Sequence, residues 1–298
     1  MSHSASVKDL SAVRASQGAT LQIEPLTGTL GAEVSGIDLS QPISPERIGE
    51  LNAAVVEHKV IFFRDQDITP KQQVTFARAF GALEIHPFTE KWGNFNNDSD
   101  EQNIVAVEST PETPFSADMW HSDVTWRPDP AMGSILRGVI IPPVGGDTLF
   151  ADMTAAYDGL DDATRSHLSG LVAVHDWWLF RDGLRARGVP EEKIAELNAK
   201  HPPSEHPVVR THPVSGKKII YVDGFTVRIK GMSGEESRAL LTRLSKLAHV
   251  PEYQVRFRWR KNSIAFWDNR STQHYAVPDF YPQHRLMHRV TVAGDVPF

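Results

Sequence analysis

Apolar positions in this chain fall mostly in short alternating or continuous runs, and only a few segments carry the spacing of a helix. From Leu21 onward a series of short extended pieces is punctuated by Gly28, Gly31 and Gly36. Pro45 to His58 predicts a helix, with Pro at the first turn and Ile48, Leu51 and Val55 at helical spacing. Lys59 to Arg64 reads as a buried strand. Thr69-Pro70 opens a second helix, with Val74, Ala77 and Phe80 on one face and Gly81 as its stop.

Residues 90–102, rich in Asn, Asp and Gly, and Ser109 to Ala117, rich in Pro, Thr and Ser, read as loops beside a site. Trp120 to Trp126 is flanked by aromatic and β-branched residues and predicts a strand. Ser134–Ile141 and Asp147–Ala151 are strands joined through Pro142, Pro143, Gly145 and Gly146. Residues 152–200 look like a mostly helical insertion, held down by Trp177, Trp178 and Phe180. Val208–Thr211 and Lys218–Val222 form a hairpin about Pro213 to Gly216. Ser233 and Glu236 form a capping box for a helix reaching about His249. From Tyr253 to Trp259, Val255, Phe257 and Trp259 alternate with Arg256, Arg258 and Arg260, as in a half-buried strand. Ser263 to Arg270 is a strand running into a turn. The expected fold is mainly β with helical additions, a sandwich or barrel. Residues 1–20 read as a mobile tail and 21–298 as one domain.

Composition narrows the function classes. With 298 residues and a net charge of −6, nothing suggests a nucleic-acid footprint. There is no cysteine, so thiolate metal sites and a cysteine nucleophile are excluded, and any metal must be held by His, Asp or Glu. No apolar run resembles a signal peptide or a membrane span, and a cytoplasmic enzyme is expected. G-x-G-x-x-G, Walker, H-E-x-x-H and G-x-S-x-G sequences are absent.

Candidate chemistry centres on His121 and Asp123. In a strand, residues i and i+2 point to one face, aiming an imidazole and a carboxylate at one point. Two His and one carboxylate on one side of a metal form the facial triad of non-haem Fe(II) oxygenases. A single His-x-Asp arises by chance in a chain of this composition roughly once, so the pair gains weight only from its company. His274, just past the strand ending near Arg270, is a plausible third ligand. In the segment Gln283 to Val292, Arg285, Met287 and Arg289 share one strand face and Leu286, His288 and Val290 the other. Each guanidinium can grip a carboxylate or sulfonate through two parallel hydrogen bonds.

This order and spacing resemble the taurine dioxygenase family, the Fe(II)/2-oxoglutarate-dependent oxygenases that include taurine, alkyl-sulfate and phenoxyacetate dioxygenases. The likeness runs from about Leu21 to Phe298. It covers His58–Arg64, Trp120–Trp126, Gly145–Leu149, His206–Lys217, Trp267–Val277 and Arg285–Thr291. The resemblance implies a double-stranded β-helix, or jelly-roll, fold, with Fe(II), 2-oxoglutarate and O2 as its cofactor and co-substrates. It makes His121, Asp123 and His274 the iron ligands, and gives the distal carboxylate of 2-oxoglutarate to Arg285 and Thr148. It places His86, Val124, Phe225 and Arg289 around a small anionic substrate, with Arg289 facing the acidic group. A homo-oligomer, dimer or tetramer, is the expected assembly.

Where taurine enzymes of this family carry Tyr and Asn toward the amine end of their substrate, this sequence has Thr89 and Ala117. The expected substrate is therefore a sulfonate or sulfate ester other than taurine, hydroxylated at the carbon next to the S or O–S group so that sulfite or sulfate is lost. Taurine or an aryloxyalkanoate is the alternative substrate, and a metal-dependent hydrolase on the same barrel is the alternative activity.

Overall fold

Strand β1 (Gln22–Pro25) pairs antiparallel with β2 (Ala32–Ser35) in a computed structural model that describes residues 20–85, 101–114 and 117–298. The expected tail and most of the expected 90–102 loop lie outside the described residues.

The two early helices form where the sequence places them. In α1 (Pro45–His58) the Ser44 hydroxyl accepts the Arg47 N–H and Pro45 occupies the first turn. In α2 (Pro70–Arg78) Thr69 and Gln72 complete a reciprocal capping box. Between them runs β3 (Val60–Phe63), buried at every position. The chain continues through β4 (Ile104–Ser109), β5 (Gly133–Ile140) and β6 (Thr148–Asp152). Helices α3 (Met153–Asp158) and α4 (Asp162–Leu168) precede β7 (Val172–His175). Next come α5 (Trp178–Ala186), α6 (Glu191–Lys200), β8 (Ser204–Pro207), β9 (Val209–Thr211) and β10 (Lys218–Ile220). Finally β11 (Thr226–Ile229) and α7 (Gly234–Ser245) lead to β12 (Gln254–Phe257), β13 (Ile264–Asp268), β14 (Thr272–Ala276) and β15 (Arg285–Val292).

Seven strands form one sheet in the order β1-β2-β3-β13-β5-β15-β4, antiparallel except where β2 meets β3. Both faces of its centre are covered, which is why β3 reads as a continuous apolar run rather than an alternation. Ile61, Phe63, Ile264 and Phe266 pack against Leu51 of α1 and Val74 of α2. On the opposite face Val60, Phe62, Ala265 and Trp267 share a core with Phe150 of β6 and Val255 and Phe257 of β12. The Phe62 and Phe257 rings stack 4.0 Å apart. Each such fully buried side chain contributes about 1.5–3 kcal/mol relative to exposure. The second sheet, β12-β6-β14, thus lies over the first; the fold is sheet-rich as expected, but helices are about as extensive as strands, so it is mixed rather than mainly β.

A further core gathers α3, α4, α7 and the small sheets β11-β7-β8 and β10-β9. The stretch 152–200 is mostly helical as expected, but it also supplies β7, which pairs with β8 and β11 outside it. Trp177 is buried with Leu184 and Ile194, and the Trp178 indole N–H donates to Gly224 O. No helix among the described residues is long and apolar enough to cross a membrane.

Candidate metal and anion site

The stretch Trp120 to Trp126 is not a strand. His121 makes a single antiparallel bridge to His274, each N–H donating to the other's carbonyl at 3.1 and 2.8 Å, and the chain then turns. The Arg127 N–H closes the turn on Val124 O, and Val124 takes a left-handed φ of 51°. A β-branched residue there costs on the order of 1–3 kcal/mol and persists only where its surroundings hold it. Aromatic and β-branched flanks favour extension, but burial against the partner loops wins over that local preference. His121 and Asp123 still converge, through the turn rather than through strand alternation.

His274 lies just past the end of β13, as expected, but inside the next strand, β14, opposite Phe150, and the bridge brings its ring within 4.2 Å of the His121 ring. His121, Asp123 and His274, all buried, each offer one ligand atom within 4.8 Å of the others.

The donor set suits a divalent metal. His121 Nδ1 lies 2.6 Å from the Met119 carbonyl oxygen, which can only accept, so Nδ1 is the donor and Nε2 is the nitrogen left to bind a metal. Burial, with the neighbouring His121, pushes His274 down to about 3, so it is neutral at physiological pH. Burial alone would raise Asp123, but Arg289, both imidazoles and Ser134 hold it well below the usual carboxylate range. Its Oδ1 accepts from Arg289 Nη1 at 2.5 Å and its Oδ2 from the Ser134 hydroxyl at 2.6 Å. Ser134 is held in turn by Asn269 Nδ2 at 3.0 Å, and Asn269 Oδ1 accepts both the Trp267 indole N–H and the Asp123 N–H. Two imidazoles and one anionic carboxylate therefore meet at a point, which fits a 2-His-1-carboxylate centre.

A cavity of about 610 Å³ opens over this point. Arg285 and Arg289 both border it from β15, as the alternation predicts, with Met287 buried between them on the same face. Burial pushes the Arg285 guanidinium down to about 10 against the opposing pull of Asp147. Among the described residues, Arg285 Nε, Arg289 Nε and His274 Nδ1 are buried without a hydrogen-bond partner. Unpaired buried donors are costly, and although Arg289 is ion-paired with Asp123, each guanidinium keeps an unfilled Nε donor that an anion in the cavity would satisfy.

Thr148, at the start of β6, borders the same space. Its oxygen accepts the Trp259 indole N–H at 2.9 Å, leaving its own proton to donate. Gly146 is forced to be glycine, since its φ is 73° and a Cβ would come 3.1 Å from Arg285 Nε.

Val124 and Phe225 complete the expected set on the cavity wall. Phe225 meets His121 edge-on at 5.7 Å and stacks on Phe180 at 5.8 Å. Ala117 also borders the cavity, whereas His86 and Thr89 lie outside the described residues. The sequence pattern did not single out Ser134, Asn269 or Trp267 as a support for Asp123, nor β4, whose Val105 and Val107 line the cavity. The run Ile104 to Val107 carried the only signal, a short apolar stretch beside a polar loop.

The sequence matches the model of the family described as "Taurine catabolism dioxygenase TauD, TfdA family" over residues 22–291. It is 37% identical over 281 residues to the alkylsulfatase of Acinetobacter baylyi, a match covering 93% of this chain and 86% of that protein. An α-ketoglutarate-dependent sulfate ester dioxygenase of Pseudomonas putida is 35% identical over 282 residues, covering 93% and 91%. The crystal structure of a taurine dioxygenase from Burkholderia xenovorans is similar with a TM-score of 0.78 at 35% identity, covering 93% of this chain and 90% of that one.

Proposed function

This chain belongs to the taurine catabolism dioxygenase TauD, TfdA family, and from that premise we propose that it is an Fe(II)- and 2-oxoglutarate-dependent dioxygenase acting on a sulfate ester or sulfonate. The observation that carries the reading is one cavity holding the His121, Asp123 and His274 cluster together with two arginines from a single strand. When bound, Fe(II), 2-oxoglutarate and O2 supply oxidative decarboxylation to succinate and CO2 and hydroxylation of a substrate C–H bond.

The residues divide that work. His121, Asp123 and His274 hold the iron. Arg285, pre-desolvated and with Nε unpaired, grips the distal carboxylate of 2-oxoglutarate, and the Thr148 hydroxyl donates to it. Arg289 takes the substrate anion, with His86 as its partner and Val124 and Phe225 against the substrate. A sulfate or sulfonate suits Arg289 because it stays charged at every physiological pH and offers three acceptors. Val107, Leu136, Phe225 and Trp267 give one part of the cavity an apolar lining, which fits an alkyl or aryl tail, while Glu108, Thr113 and Arg187 also border it. Hydroxylation at the carbon bearing the sulfur or ester oxygen gives a product that collapses with loss of sulfite or sulfate.

Two sheets sharing one core support a double-stranded β-helix spanning residues 21–298 as a single domain, with 152–200 as its insertion. The family resemblance supports a homo-oligomer and a cytoplasmic location.

The test is kcat/KM for an alkyl sulfate ester, an alkyl sulfonate, taurine and an aryloxy acid of similar size. Because Ala117 gives an ammonium group little polar reach, the ester or the alkyl sulfonate is expected to exceed taurine by roughly tenfold or more, the scale of one lost polar contact. A preference for taurine or for the aryloxy acid would overturn the substrate assignment.

A further inference from the structure

The turn that carries His121 and Asp123 is tied down by a carboxylate far away in sequence. Asp223 sits between β10 and β11, with its side chain only 3% exposed. One of its oxygens, Oδ2, accepts the Ser122 N–H at 3.1 Å and the Thr125 hydroxyl at 3.0 Å. The other, Oδ1, accepts the Phe225 N–H at 3.0 Å and faces His175 Nδ1 at 3.5 Å. Ser122 stands between two of the candidate metal ligands, while Phe225 forms the cavity wall and meets the His121 ring edge-on.

The surrounding contacts close a ring about this carboxylate. His175, fully buried, approaches the Thr125 hydroxyl through Nδ1 at 3.1 Å. Gly224 N–H donates to Trp120 O at 3.0 Å, so the loop bearing Phe225 is also bonded just ahead of His121. A buried carboxylate is stable only when its acceptor sites are filled, and here most of the donors belong to the two segments that must be registered. An Asn in its place would turn an NH2 group toward one of those sets, donor against donor.

We infer that Asp223 is a positioning residue that couples the metal-bearing turn to the aromatic wall of the substrate cavity. One oxygen fixes the turn from Ser122 to Thr125, including the strained Val124, and the other fixes Phe225. Metal geometry and substrate placement are then coupled through one side chain that touches neither metal nor substrate. This rests on the metal reading given above.

The experiment titrates Co(II) into metal-free wild type, Asp223→Asn and Asp123→Ala without oxygen, following the Co(II) absorption. KM for an alkyl sulfate ester and the ratio of product to succinate are measured on the iron-loaded enzymes. Asp223→Asn is expected to bind Co(II) roughly 10–100-fold more weakly, with a changed absorption spectrum, as loss of a partner behind the ligands does elsewhere. A raised KM and succinate formed in excess of product are expected in the same variant. Wild-type Co(II) affinity, spectrum and KM with only a lower Tm would overturn the inference and leave Asp223 a structural residue. Should Asp223→Asn fail to fold, Thr125→Val deletes one bond to the same oxygen, and a Co(II) affinity weakened by about two- to fivefold is expected. Wild-type affinity and spectrum in that variant would overturn the inference equally. Wild-type Co(II) affinity in Asp123→Ala would instead overturn the metal reading, and the inference with it.

Discussion

Two buried carboxylates near the site meet opposite fates, and the contacts around each decide which. At Asp123, Arg289 at 2.5 Å, two imidazoles and the Ser134 hydroxyl outweigh burial, and the group stays ionised. At Glu84, burial outweighs the Arg127 guanidinium at 3.0 Å, and the carboxyl is pushed from its ordinary 4.5 up to about 7. Its Oε1 has no hydrogen-bond partner among the described residues, so only Arg127 and a smaller pull from Arg289 compensate the charge. Because the folded value lies above the unfolded one, Glu84 contributes stability that is full below about 4.5 and lost as pH rises through about 7. Glu84→Gln keeps the shape and removes the titration. Urea unfolding between those two pH values and just above them should show the wild type losing stability relative to the variant as pH rises. Parallel pH curves for the two proteins would refute the assignment.

At the scale of elements, the turn between β5 and β6 sets its backbone against Arg285, the residue proposed to bind the co-substrate. Gly146 holds a φ of 73° against the Arg285 side chain, so Gly146→Ala adds strain and a close contact together. Destabilisation of about 1–2 kcal/mol is expected from the left-handed backbone. The KM for 2-oxoglutarate should rise by more than the KM for the sulfate ester, and an unchanged 2-oxoglutarate dependence would contradict the role given to Arg285. Elements whose pattern is set locally were legible in the sequence. Both early helices carry their own caps at Ser44 and Thr69, and β15 alternates Arg285, Met287 and Arg289. The stretch from Trp120 to Trp126 was not legible, because its turn is imposed by Asp223, Asn269 and the bridge to His274, all distant in sequence. His121 and Asp123 converge all the same, because the x in His-x-Asp returns the carboxylate to the same side through a turn as well.

For the whole molecule, the arrangement of sheets explains why one cavity collects residues from six strands, the turn at His121 and the loop at Phe225. β6 and β14 of the small sheet bring Thr148 and His274, and β15 of the large sheet brings the two arginines. The β-rich class was readable from strand-length apolar runs. Edge strand β4 was not, since Ile104 to Val107 is too short to separate from loop by periodicity. Nor were the contacts of Ser134 and Asn269 with Asp123, which exist only once β5 and β13 are paired. The proposed reaction in this cavity releases sulfate oxidatively rather than by hydrolysis. It is tested most directly by quantifying succinate and inorganic sulfate from one alkyl sulfate ester, with Fe(II) and 2-oxoglutarate, in air and without oxygen. Equal amounts of succinate and sulfate in air, and neither without oxygen, is the expected result. Sulfate released without oxygen or without 2-oxoglutarate would contradict it.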